Sequence, residues 1–103
     1  MSRKRNWVRR DEFRKNRSKG AGGHPAYIYA KVGNRYRFLG ITHSPVTQGV
    51  KNIPLEKNPN PNDARPSYMR PKARSENVAS FGKVKEGWKL SEADKKGIKK
   101  HMK

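Results

Sequence analysis

Cysteine is absent from the chain. That excludes disulfides and thiolate metal sites, and a reducing cytoplasm is the expected location. Long apolar runs are missing too. No stretch approaches the length of about 18 apolar residues that a membrane span needs, and the N-terminus lacks the apolar core of a secretion signal. Negative charge is scarce, with 8 Asp and Glu against 26 Lys and Arg. Apolar residues make up only 31% of the 103 residues, so the expectation is one small domain with a small core.

What is present follows from that imbalance. The formal net charge is +18. The surplus is spread over residues 1–23, 24–82 and 83–103 alike. A chain of this kind repels itself and attracts polyanions. Nucleic acid is the first candidate partner, bound through phosphate neutralisation and counterion release. An acidic protein is the second. Anionic lipid is third, because no basic amphipathic helix is evident.

The stretch from His24 to Ser44 organises the sequence. Two runs rich in Tyr, Ile, Val and Phe flank Gly33-Asn34. A glycine in the first of two loop positions suits a type II′ turn, so the stretch reads as a β-hairpin. An unbroken register from that turn pairs Val32 with Arg35, Ala30 with Arg37, Tyr29 with Phe38 and Ile28 with Leu39. Alternation then puts Tyr27, Tyr29, Tyr36 and Phe38 on one face, and Ala26, Ile28, Leu39 and Ile41 on the other. Neither face is polar, so both need cover, or one binds something flat. The same register brings His24 opposite His43, with Cβ atoms about 4.5–5.5 Å apart.

Residues 1–23 read as a basic flexible arm, with a short helix around Val8–Asn16 as an option. Its cations include Arg3, Lys4, Arg5, Arg9 and Arg10, interleaved with Trp7, Val8 and Phe13. Trp7 and Phe13 either dock on the domain or stack on bases. Gly20-Ala21-Gly22-Gly23 ends the arm as a linker. Residues 45–67, rich in Pro and Asn, read as a long irregular segment whose middle is pinned by Ile53 and Leu55. Tyr68-Met69-Arg70 reads as a short strand, residues 72–77 as polar loop, and Val78–Val84 as another strand. Ser91 is a helix N-cap, with Asp94 three residues on in a capping-box arrangement. Leu90, Ala93, Ile98 and Met102 give that last helix a weak apolar stripe. The expected fold over 24–103 is a mainly β (α+β) domain, a small antiparallel sheet or barrel with a C-terminal helix.

Metal-free RNA cleavage requires a base for the 2′-hydroxyl, an acid for the leaving oxygen and a cation for the phosphorane. Histidine suits the first two roles and arginine the third. His24 and His43 at the hairpin mouth fit an acid–base pair. The plainer description, paired polar residues at a strand end with one capping a backbone group, also fits and is the stronger of the two. Tyr27, Tyr29, Tyr36 and Phe38 read either as core or as a stacking platform for single-stranded bases, with Tyr29 and Tyr36 the candidates. Lys31, Arg35 and Arg37 would contact phosphates in either case. His101 is remote in sequence and lacks acidic or cysteine company, so no metal and no cofactor are expected.

The order of short motifs resembles the PemK/MazF-like toxin family. The residues that carry the likeness are His24-Pro25-Ala26-Tyr27-Ile28-Tyr29, Ile41-Thr42-His43-Ser44, Ser67-Tyr68, and Trp88-Lys89-Leu90-Ser91 leading to Asp94. The likeness spans residues 24–102. It implies an SH3-like barrel that cuts single-stranded RNA without a metal and is held by an acidic antitoxin-like protein, with a homodimer among the open oligomeric states. By matching position it implies Thr42 and Ser44 as hydroxyl candidates and His24 at the His-Pro step. Arg70, after Ser67-Tyr68, stands for the family arginine. The arginine-rich arm and the long Pro/Asn segment depart from the family pattern. Two other classes remain open: a non-catalytic RNA- or DNA-binding module, and a basic protein that binds an acidic partner.

Overall fold

A computed structural model describes residues 7–18 and 23–102. Nine strands and a short helix follow in order. They are β1 (Trp7–Asn16), β2 (Pro25–Val32), β3 (Arg35–Thr42), β4 (Val46–Thr47), β5 (Val50–Lys51), β6 (Ile53–Pro54), β7 (Tyr68–Met69), β8 (Arg74–Asn77), β9 (Phe81–Val84) and α1 (Glu92–Ile98). All pairings are antiparallel. Strand β9 pairs with β1, β1 with β2, β2 with β3, and β3 with β8. Strand β8 runs through one 3₁₀ turn, Val78–Ser80, straight into β9. The sheet thus closes on itself as a small SH3-like antiparallel barrel with one C-terminal helix.

The hairpin of β2 and β3 turns at Gly33, whose φ of 60° supplies the left-handed first position that the turn demands. Val32 faces Arg35 and Ala30 faces Arg37, as the unbroken register requires. The register then changes. A bulge at Tyr29 pairs Ile28 with Phe38, Tyr27 with Leu39 and Ala26 with Gly40. Continued to the mouth, this register sets His24 across from Thr42 rather than His43. A bulge also places consecutive side chains on one side of the sheet. Tyr29 and Ala30 accordingly enter the same cluster, with Phe13, Tyr27, Leu39, Ile41, Met69, Leu90 and Ile98. Ala26, Ile28, Tyr36, Phe38 and Phe81 fill the other side. The expected partition of the aromatics is corrected: Tyr27 and Tyr29 lie apart from Tyr36 and Phe38.

Both faces are covered. Phe81 meets Tyr36 and Phe38 edge-on, each at 5.3 Å between ring centroids, and forms the inner core. The outer core lies under α1, Trp88 and the segment that carries Ile53 and Leu55.

The arm expected over 1–23 is corrected from Trp7 onward. Trp7–Asn16 is a ten-residue strand between β2 and β9, neither a flexible arm nor a helix. Phe13 is the reason: it is fully buried, 5.1 Å from Tyr27 and 5.8 Å from Trp88 between ring centroids. The inward charges are neutralised locally. Glu12 takes Arg14 at 2.6 Å and Arg10 at 3.3 Å. Arg3, Lys4 and Arg5, and the linker residues Gly20, Ala21 and Gly22, lie outside the described residues.

Residues 74–77, expected as polar loop, form β8 on the edge of β3. Their Arg-Ser-Glu-Asn composition carries no strand signal, because the barrel supplies the burial on the other strand. In 45–67, Ile53 and Leu55 pin the middle as expected. The Asn-Pro repeats make a chain of side-chain turns: Asn58 accepts from the Asn60 amide at 2.9 Å, and Asn60 from the Asn62 amide at 3.0 Å. Proline between them has no N–H to offer, so each asparagine reaches two residues on.

Ser91 caps α1 by accepting from the Asp94 amide at 3.1 Å. The Asp94 carboxylate does not complete the capping box. It accepts instead from the backbone amides of Glu56 at 2.8 Å and Lys57 at 3.3 Å. The buried acid therefore ties the long segment to the helix. Asp94→Ala strands both amides and should cost about 2 kcal/mol. In thermal melts this lowers the midpoint by roughly 10 °C; an unchanged midpoint would show that the tie carries no stability.

Candidate functional site

The mouth of the hairpin opens on a cleft of about 330 Å³. Asn16, His24, Thr42, Thr47, Gln48, Arg70 and Arg74 bring its polar groups from separate strands and strand ends. No acidic residue lines it. Arg70 reaches the cleft because Gly40 gives it room: a Cβ on Gly40 would meet the Arg70 Cγ at 3.3 Å. The Arg70 amide donates to the Gly40 carbonyl at 2.8 Å, which fixes the start of the side chain. Further out, the buried Arg70 Nε has no hydrogen-bond partner. The guanidinium that lines the hollow is a charge-assisted donor to an anion.

A second hollow, about 100 Å³, adjoins it and also touches His24 and Thr42. His43 and Asp63 line this one. The expected pair, His24 and His43, therefore shares a hollow without facing across the ladder. His43 Nδ1 lies 2.9 Å from the Pro66 carbonyl. A carbonyl only accepts, so Nδ1 carries a proton. His43 Nε2 is 3.8 Å from an Asp63 oxygen. Hydrogen bonds from Arg65 hold the Asp63 carboxyl well below the usual carboxylate range. The long segment thus orients His43 through Nδ1, with the Asp63 carboxylate near Nε2.

The two hydroxyl candidates differ. Thr42 lines both hollows, and its Oγ1 accepts from the Ser44 amide at 3.2 Å. Ser44 is exposed and lines neither; its carbonyl accepts from the Asn52 Nδ2 at 2.9 Å.

The candidate binding residues separate by face. Across four strands the rows are Trp7–Val32–Arg35–Asn77, Val8–Lys31–Tyr36–Glu76 and Arg9–Ala30–Arg37–Ser75. The first and third rows share the outer face, so Arg9, Arg35 and Arg37 stand together beside Trp7. Lys31 and Tyr36 belong to the inner face. Arg10 turns inward with Glu12, its guanidinium 5.7 Å from the Tyr36 ring centroid. Tyr29 and Tyr36 as stacking residues are corrected: they are 5% and 7% exposed. Arg14 at 5.2 Å also covers the Tyr36 ring, and Tyr29 lies under Trp7 with centroids 6.3 Å apart.

The sequence did not point to Asn16, Thr47, Gln48 or Arg74 in the cleft. Arg74 sits in β8, which had no legible pattern, and Asn16 in β1, which read as an arm. Among the described residues no helix is long and apolar enough to cross a membrane.

Behind the site, Tyr27 donates to Asp11 at 3.0 Å, and Asp11 also takes Lys95 of α1 at 2.9 Å. Burial first, then the Asp11 charge and hydrogen bond, keep the Tyr27 phenol protonated well above its ordinary range. Above about pH 10 the unfolded chain releases this proton while the folded chain keeps it, so stability falls as pH rises. Melts at pH 8 and pH 11 should therefore show a larger alkaline loss in the wild type than in Tyr27→Phe. Equal losses would contradict the assignment.

Comparison with protein-family models, with curated proteins and with solved structures returns no match for this chain.

Proposed function

We propose that this protein binds single-stranded RNA and cleaves it without a metal ion, in the manner of PemK/MazF-like toxins. The observation that carries the reading is the acid-free cleft in which His24, Thr42 and Arg70 converge from separate segments. With a chain charge of +18, a phosphodiester is the natural occupant of such a cleft.

The reaction assigns one role to each group. His24 takes the 2′-hydroxyl proton, and the 2′-oxygen attacks phosphorus. The Arg70 guanidinium meets the developing phosphorane charge, where a preorganised donor is most effective. The bond from phosphorus to the 5′-oxygen breaks. That oxygen takes a proton from the imidazolium of His43, whose Nδ1–H is already held by the Pro66 carbonyl. The products are a 2′,3′-cyclic phosphate and a 5′-hydroxyl end.

A second reading, a non-catalytic RNA-binding module, is favoured by the commitments of two site groups. The Thr42 hydroxyl serves the Ser44 amide, and His43 is held through Nδ1 with the Asp63 carboxylate near Nε2. One experiment separates the two. Long single-stranded RNA is incubated in EDTA with wild type, His24→Ala and Arg70→Met. Cleavage by wild type, with 5′-hydroxyl ends and a rate at least about 100-fold lower in His24→Ala, is the expected result. Tight binding with no cleavage by any form would overturn the catalytic reading and leave the binding module.

A further inference from the structure

We propose a second RNA-contacting surface on the outer face of the barrel, where Trp7 stacks on an unpaired base and Arg9, Arg35 and Arg37 hold the flanking phosphates. The proposal rests on the reading that the ligand is single-stranded RNA, but it concerns a different surface. The cleft residues Phe38 and Arg74 pair across β3 and β8 on the inner side. The Trp7 and Arg9 rows lie on the opposite side and toward the Gly33 turn.

Three observations point there. Trp7 is 39% exposed, whereas the other aromatic side chains are buried or half-buried. Its ring packs beside Tyr29 with centroids 6.3 Å apart and planes tilted by 49°, and the residue keeps its 39% exposure despite that contact. A partly exposed indole beside a basic surface suits base stacking, because every base has a π-face to offer.

The second observation is charge. The two outer rows hold three arginines and no acid. Among the described residues the ion pairs involve none of these three. The third is orientation. Arg35 donates to the Ser75 Oγ and carbonyl, both at 2.8 Å, and Arg37 Nε to the Tyr29 hydroxyl at 3.3 Å. Each guanidinium is thereby fixed while it keeps further N–H groups for phosphate. Beyond Arg37 the surface falls into an open hollow of about 420 Å³ beside Lys72 and His101, which extends the basic track. Stacking selects single strands, because a paired base does not present its face to an indole.

The test uses fluorescence. Trp88, half-buried, packs against the core beside Phe13, and Trp88→Phe leaves Trp7 as the sole tryptophan. The probe is a 2′-O-methylated single-stranded oligoadenylate, which cannot be cut through its 2′-oxygen. Binding should quench Trp7 emission. Trp7→Ala should weaken binding about tenfold, and Trp7→Phe should restore most of it. Arg9→Ala/Arg37→Ala should reduce the slope of log K against log salt by roughly 1.4. Binding without quenching, an unchanged affinity in Trp7→Ala, or equal quenching by a duplex would overturn the proposal. Cleavage that persists in Trp7→Ala alongside one of those results removes this surface alone. Failure to bind any RNA removes the functional reading with it.

Discussion

The bulge at Tyr29 is the constraint on which the rest of the structure depends. One extra residue in β2 sends both Tyr29 and Ala30 to the outer side and reverses the parity of everything between there and the mouth. Without it, Tyr27 would share a face with Phe38, and the outer core beneath α1 would lose its aromatic floor. The neighbouring strand answers with its own irregularity. β1 gains a residue between Arg9 and Glu12, opposite the same point. The two bulges together bend the sheet where it must curl to let β9 return to β1.

Several features of this architecture are legible from residues alone. Gly33-Asn34 fixed the turn, and the two apolar faces of the hairpin required cover on both sides, which α1 and β9 provide. Ser91 marked the helix start. What could not be read was parity beyond the turn. Tyr29 carries none of the glycine or local charge cues that mark a bulge, since the bulge answers to closure of the whole barrel. β1 was illegible for a related reason. Phe13 is its single buried apolar side chain, and Arg10 and Arg14 are tolerated inside because Glu12 lies between them. That compensation becomes visible only once the three side chains are known to face inward. The candidate cleft was half legible: His24, Thr42 and Arg70 lie together, while Arg74 and Asn16 came from strands that composition had hidden.

The few carboxylates explain where the positive charge is left to act. Asp11, Glu12, Asp63, Glu76 and Glu92 pair with neighbouring cations, and Asp94 holds backbone amides. These acids serve the fold at local points: the inner face, the long segment and the helix. At the cleft only Arg74 is paired, with Glu76 at 3.9 Å, and the ion pairs among the described residues leave out Arg70, Arg9, Arg35 and Arg37. A chain that repels itself is thus stabilised where its strands and loops cross, and left strongly electropositive at two separate surfaces.

The central claim is that RNA is gripped at the cleft rather than held diffusely by net charge. Backbone-amide NMR during titration with a short, uncleavable single-stranded RNA tests it most directly. The account predicts that the largest shifts fall on the amides of His24, Gly40, Thr42, Thr47 and Arg70, and that they persist at salt concentrations that remove nonspecific contacts. Small shifts spread evenly over lysines and arginines, fading together as salt rises, would contradict it.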